Sequence, residues 1–396
     1  MKSREEISMA EVKPKRGFAL EGGGARGAYH MGVCKAYIEA GYEFHGVVGT
    51  SIGAINAAML ASGEFDKAIE LWENTELEHL FEAEFLDVLK LDNNFPGNIT
   101  AVFKKLISDR GVNHSKIKNF LASYINEEKV RASGCDFGLV TFSLNELKPY
   151  EIFLKDIPEG QLIDYILASA KFPFLTAQII DDNRFFDGGV YNSCPINMLV
   201  EQEYDEIIAV RLKGFGRFRR YDKNANVTLI EADESLGHFL AFGAEKAKLN
   251  IKRGYCDGVK SLKKLIGINY YLETFDTTLI TEKLLLLTEE SLANLPFLKN
   301  SFGPKKRTLF EKTIPELADF LDLDSSFTYE AFIIAIFEFV ALRKGIERFD
   351  VYKFEDFSKL IKVTVTPESG GLLKKVGIDF IEKKAEFIEQ LVDLLI

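Results

Sequence analysis

Gly49-Thr50-Ser51-Ile52-Gly53 is the stretch on which the reading of this chain turns. Val47-Val48 before it has the apolar character of a buried strand end. Ala54-Ile55-Asn56-Ala57-Ala58-Met59-Leu60 after it is a good helix former. Strand, Gly-x-Ser-x-Gly, helix is the context of a nucleophile elbow. In so tight a turn a side chain two residues either side of the serine would clash, and Gly49 and Gly53 remove that clash. Ser51 then stands at a helix N-terminus, where free N–H groups and the helix dipole favour negative charge. The competing reading is a chance pentapeptide in a glycine-containing turn.

Upstream, Gly17-Phe18-Ala19-Leu20 reads as a strand, Glu21-Gly22-Gly23-Gly24-Ala25-Arg26-Gly27 as a glycine-rich loop, and Ala28 to Ala40 as a helix stopped by Gly41. Gly22, Gly24 and Gly27 fit the G-x-G-x-x-G dinucleotide pattern. That chemistry needs an acidic residue at the end of the next strand to hold a ribose, and the next strand runs into Gly-Thr-Ser instead. The second reading is an oxyanion hole, since consecutive glycines expose backbone N–H groups to a developing alkoxide. It accounts for both glycine turns together. A helix-leading turn with no ligand is the third.

A serine hydroxyl needs a base. Of the five histidines, only His238 lies late enough in the chain for a Ser-His-acid order, and no carboxylate arrangement supports it. Asp187 is the better candidate. It follows Phe185-Phe186 and precedes Gly188-Gly189, so its carboxylate can approach another loop closely. In an apolar cleft its pKa rises toward the range useful to a general base. Around it, Asp136–Ser143 and Pro149–Leu154 read as strands, Gln161–Lys171 as a helix, Ala177–Ile180 and Arg184–Phe186 as short strands, and Glu206–Leu212 as a buried strand. Alternating apolar strands and helices argue for a layered α/β core.

Three segments together, Gly22-Gly23-Gly24-Ala25-Arg26-Gly27, Gly49-Thr50-Ser51-Ile52-Gly53 and Asp187-Gly188-Gly189, resemble the patatin-like phospholipase family. Ala168-Ser169-Ala170-Lys171-Phe172-Pro173 is similar to the family's Ala-Ser-x-x-x-Pro segment. The resemblance implies a three-layer α/β fold with a mainly parallel central sheet flanked by helices. It implies hydrolysis of fatty-acyl esters of phospholipids or related lipids by a Ser–Asp dyad without histidine. Carried onto this chain, Ser51 is the nucleophile and Asp187 the base. Gly22, Gly23 and Gly24 supply oxyanion N–H groups, and Arg26, Gly49, Gly53, Gly188 and Gly189 are supporting residues. Ser169 is structural on this reading. No metal and no cofactor is implied. The rival from another class is a catalytically silent lipid-binding or scaffold protein that keeps the fold.

Composition narrows the partners. With 47% hydrophobic and 28% charged residues the 396-residue chain is that of a globular protein. Its net charge of −11 argues against nucleic acid as a partner and against general attraction to anionic membranes, although a local basic patch can override the latter. Lys213-Gly214-Phe215-Gly216-Arg217-Phe218-Arg219-Arg220 is such a patch, read either as a phosphate-headgroup contact or as a solvated loop. The four cysteines are scattered, Met1–Lys15 has no apolar core and no run is long enough to span a bilayer. These features favour a cytoplasmic location with transient contact at a membrane surface.

The expected organisation is a polar tail over residues 1–16, an acyl-hydrolase domain over 17–275 and a mostly helical region over 276–396. In the first domain the stripe Leu71, Leu77, Leu80, Phe81, Phe85 and Leu89 reads as core or as an acyl channel. Ser235 to Asp257 resembles a helix that follows the core in bacterial members of the patatin-like phospholipase family. In the last region two apolar faces stand out, Phe332-Ile333-Ile336-Phe337-Val340 and Ile381-Ala385-Ile388-Val392-Leu395. Oligomeric state is not written in the sequence.

Overall fold

The computed structural model describes residues 13–76, 78, 114–170, 178–214, 216–232, 235–365 and 378–396. The first twelve residues, most of the Leu71–Leu89 stripe, Lys171-Phe172-Pro173 and Phe215 lie outside them. The chain divides into two compact units, residues 1–259 and 260–396.

The first unit is built on an eight-stranded mixed sheet. Its strands are β1 (Arg16–Leu20), β2 (Gly46–Thr50), β3 (Asp136–Ser143), β4 (Lys148–Phe153), β5 (Gln178–Ile180), β6 (Asn183–Asp187), β7 (Glu206–Arg211) and β8 (Val227–Glu231). They run in the order β5-β6-β3-β2-β1-β7-β8, with β4 also paired to β3. β3, β2, β1, β7 and β8 are parallel, whereas β4, β5 and β6 join antiparallel.

Both faces of the parallel part are covered, which is why these strands are continuously apolar rather than alternating. Phe18, Leu20, Val47, Phe137, Leu139, Ile208 and Val210 point to one side. There they pack with Tyr29 and Met31 of α1 (Ala28–Glu39) and Ala57 and Met59 of α2 (Ile52–Ala61). Ala19, Val48, Val140, Ile207 and Ala209, one residue out of phase, point to the other and pack with Ile196, Met198, Leu199 and Tyr204. The result is the expected three-layer α/β arrangement, with a mainly parallel centre.

One register decides what the sheet can do. β4 occupies one edge of β3 over Gly138–Ser143, so β2 and β6 share the other. β2 ends there with Thr50 opposite Val140, and β6 ends with Asp187 opposite Thr141, the very next residue. The chain therefore leaves β2 into Ser51 at the point where Asp187 arrives from the opposite direction.

The helix expected from Ser235 begins only at Ala244 and runs to Lys263, and residues 235–243 form no regular element. Gly237 and Gly243 break the helical backbone there, with positive φ of 92° and 156°.

The second unit is mostly helical, with a two-stranded parallel pair, Tyr271–Leu272 and Val351–Tyr352. Its core gathers Phe332, Ile333, Ile336, Phe337 and Val340 with Phe387, Ile388, Leu391, Val392 and Leu395. Ile381, expected on the second apolar face, is exposed instead. Glu338 is wholly buried in this unit and its carboxylate accepts the N–H groups of Ile268 (2.9 Å), Asn269 (3.2 Å) and Tyr270 (3.0 Å). A carboxylate that collects three backbone donors holds that loop firmly. Glu338→Leu is expected to cost on the order of 3 kcal/mol and to raise amide hydrogen exchange at residues 268–270. Unchanged exchange at those three amides would show that something else holds the loop.

Candidate active site

Ser51 has φ 57° and ψ −126°, a conformation that a residue with a side chain adopts only under constraint. The constraint is visible. A Cβ on Gly49 would come within 2.2 Å of the Gly53 carbonyl, and one on Gly53 within 2.2 Å of the Leu20 carbonyl, so neither position admits a side chain. The Ser51 N–H donates to Ser169 Oγ at 3.0 Å, the Thr50 hydroxyl donates to the Asn192 carbonyl at 2.8 Å, and the Ser51 carbonyl starts α2 by accepting from Ala54. Ser169, at the end of the helix Leu162–Ser169, is thus a direct support of the elbow. That is a structural role, as expected, and its partner 118 positions away is marked by nothing in the sequence around Ser169.

Asp187 is buried, 7% exposed, as is Ser51. The Ser51 side chain lies close enough to the Asp187 carboxylate to lower its pKa as a hydrogen-bonding neighbour, and Oδ1 accepts the Gly189 N–H at 2.8 Å. Burial pushes the carboxyl up to about 7, and these two neighbours pull it partly back. Gly188 and Gly189 open the single turn that follows. His238 takes no part in this pair: its Nδ1 accepts from the Leu240 N–H at 3.3 Å, and burial lowers its pKa.

The glycine loop lies against the elbow, since a Cβ on Gly22 would sit 3.2 Å from the Ser51 Cβ. Its amides are not equivalent. The Gly22 N–H is already spent on the Ser193 carbonyl at 2.9 Å, which removes it from the expected set of three. The N–H groups of Gly23 and Gly24 form no hydrogen bond among the described residues. Arg26 ties neighbouring loops together, its Nε donating to the Gly237 carbonyl at 2.8 Å and Nη1 to the Lys213 carbonyl at 2.9 Å. Glu21, wholly buried, accepts from the Leu212 N–H at 2.5 Å and the Ser193 hydroxyl at 3.4 Å, and so braces the same loop from below.

No group of three or more His, Cys, Asp or Glu side chains suited to a metal ion occurs among the described residues. A cavity of about 300 Å³ lined by Cys135, Asp136, Phe153 and Gln202 opens at the start of β3, toward the other end of that strand from Thr141, and neither Ser51 nor Asp187 lines it.

Fold and site together define an α/β domain organised on a strand–elbow–helix serine. Residues 18–200 match the family model for patatin-like phospholipase, and this part of the chain is a patatin-like phospholipase domain. The chain is 26% identical over 216 residues to an uncharacterized NTE family protein of Mycobacterium tuberculosis, covering 54% of each. It is 24% identical over 258 residues to a lysophospholipase of Candida glabrata, covering 59% of this chain and 14% of that protein. The chain thus spans about half the length of the mycobacterial relatives and less of the fungal one. Among solved structures it is similar to VipD from Legionella pneumophila, with a TM-score of 0.42 and 13% identity over 97% of this chain and 90% of that one. It is also similar to the type III effector ExoU, with a TM-score of 0.35 and 16% identity over 84% and 69%.

The raised Asp187 pKa has a consequence for stability. Between the ordinary value of 3.8 and about 7 the folded carboxyl keeps a proton that the unfolded chain releases, so stability falls as pH rises through that window. Asn at 187 removes this loss, an effect on the order of a few kcal/mol once pH exceeds about 7. Asp187→Asn is therefore expected to raise the urea midpoint at pH 8 relative to wild type by more than it does at pH 4. Equal effects at both would contradict the raised pKa.

Proposed function

We propose that this protein is a serine acyl hydrolase that cleaves fatty-acyl ester bonds of phospholipids or related lipids. The observation that carries the reading is Ser51, on a strained elbow, beside a buried carboxylate whose pKa is raised to about 7. The family match and relatives described as a lysophospholipase and a probable lipid hydrolase support the lipid class.

The chemistry follows from the groups present. Ser51 Oγ attacks the ester carbonyl as its proton passes to the Asp187 carboxylate. The oxyanion that forms is held by the free N–H groups of Gly23 and Gly24, each donor worth roughly 10²–10³ in rate. Collapse expels the alcohol, which takes the proton from Asp187, and leaves the acyl group on Ser51. Asp187 then takes a proton from water as it attacks the acyl carbonyl, and returns it to Ser51 as the fatty acid leaves. A carboxylate serves both halves because its pKa lies close to the working pH. Every step uses groups of this chain alone. The same reading places the protein in the cytoplasm, meeting its substrate at a membrane surface.

A fluorophosphonate probe is expected to label the wild type covalently and to leave Ser51→Ala unlabelled. On a panel of phospholipid, lysophospholipid and neutral-lipid esters, Asp187→Asn is expected to lose about a thousandfold in kcat/KM. Equal fatty-acid release by wild type and both variants would end the assignment. With a soluble ester, kcat/KM is expected to rise with pH and level off above about 7, as Asp187 loses its proton. A flat profile from pH 5 to 9 would rule out that carboxyl as the base.

A further inference from the structure

We propose that the segment Gly216–Arg220, with the adjoining Val190, is the surface by which this protein docks on an anionic lipid bilayer. The proposal extends the lipid-hydrolase reading by giving the site its orientation to the substrate phase.

The loop that bears this segment follows β7, at the carboxyl ends of the parallel strands, where the glycine loop and Ser51 also lie. Ligands bind at this end of parallel α/β sheets. The loop is pinned to the site itself. The Arg217 N–H donates to the Gly189 carbonyl at 3.2 Å, and the Ser193 N–H donates to the Arg217 carbonyl at 2.7 Å. A Cβ on Gly214 would meet the Gly22 carbonyl at 2.2 Å. Arg219 anchors the far side, paired with Glu151 and with Glu201 at 2.9 Å, and its N–H donates to Asn192 Oδ1 at 3.3 Å.

What this scaffold presents outward is cationic and apolar. Arg217 and Arg220 are exposed and form no ion pair or hydrogen bond through their side chains among the described residues. Phe218 is 45% exposed, with the Arg211 guanidinium 4.3 Å from its ring centroid, and Val190, next to Gly189, is 45% exposed. Residues 211–223 carry six Lys and Arg against one Asp in a chain whose net charge is −11. Arg211 and Lys213 pair with Glu231 and Arg219 with Glu151 and Glu201, which leaves Arg217 and Arg220 as the outward charges of the segment. A solvated loop needs neither a fixed backbone nor an outward phenylalanine. An anionic bilayer uses both the charge and the apolar tip: phosphates and carboxylates pair with the arginines, and Phe218 and Val190 enter the headgroup boundary. With a net charge of −11 the chain as a whole is not drawn to an anionic surface, so the attraction falls to local clusters such as this one.

The test is vesicle flotation of the Ser51→Ala protein, so that binding is scored without turnover. Vesicles are phosphatidylcholine alone or phosphatidylcholine mixed with phosphatidylserine. Binding is expected to the mixed vesicles, to weaken as sodium chloride is raised, and to be slight on phosphatidylcholine alone. Each arginine contributes about fivefold, so R217Q/R220Q is expected to bind roughly 25-fold more weakly and R217E/R220E more weakly still. Phe218→Ser is expected to weaken binding without altering its salt dependence. Thermal melts of the variants confirm that the fold is kept. Equal binding to both vesicle types, unchanged binding by the arginine variants, or no flotation at all would overturn the proposal. Flotation by Ser51→Ala alongside a wild type that hydrolyses no ester would instead overturn the enzymatic reading and leave the docking surface standing.

Discussion

The shared edge of β3 is the constraint on which the site rests. Val140 pairs with the last residue of β2 and Thr141 with the last residue of β6. Two strands far apart in sequence thus end head to head on one ladder, and the first residue past β2 faces the last residue of β6. Because strand register is set in steps of one residue and each step flips a side chain to the other face, a slip of either strand would part Ser51 from Asp187. The apolar faces of β1, β2, β3 and β7, buried on both sides, make such a slip costly.

Around that junction the fold supports two states that are unfavourable alone. One is the positive φ of Ser51, and the other is a carboxyl shut away from water. The first is held by Gly49 and Gly53, which let the turn close, and by Ser169 and Asn192, which take up the N–H of Ser51 and the hydroxyl of Thr50. Asn192 is itself fixed, since its Nδ2 donates to Glu151 at 2.8 Å and to Asn197 at 2.7 Å. The second is offset by the Gly189 N–H and the Ser51 hydroxyl. Strain and desolvation held in this way are features of pre-organised sites. Arg26 and Glu21 do the same for the glycine loop, in which the N–H groups of Gly23 and Gly24 have no hydrogen-bond partner among the described residues.

Much of this was legible from local sequence because its causes are local. Gly49 and Gly53 signal a turn that only glycine permits, and Gly-Phe-Ala-Leu and Gly-Val-Val signal strands buried on both faces. What escaped depends on partners remote in the chain. Ser169 looked unremarkable until a helix end delivered its hydroxyl to Ser51. Gly22 looked equivalent to its neighbours until Ser193 claimed its N–H. Ile381 kept the helical period of its apolar face but fell beyond the ground that the other helices cover. The helix after the core starts late because Gly237 and Gly243 take positive φ, which the run of good helix formers beyond them did not reveal.

The sequence by itself determined the residue types: a serine between glycines, a carboxylate before glycines, amides without side chains, and strands apolar on both faces. Those follow from sterics and burial within a few residues. Only the tertiary structure decided which of them meet, which amides stay free, and how far burial lifts the Asp187 pKa. Each of those depends on registry between strands and on the water excluded by packing, and no short stretch of chain contains either.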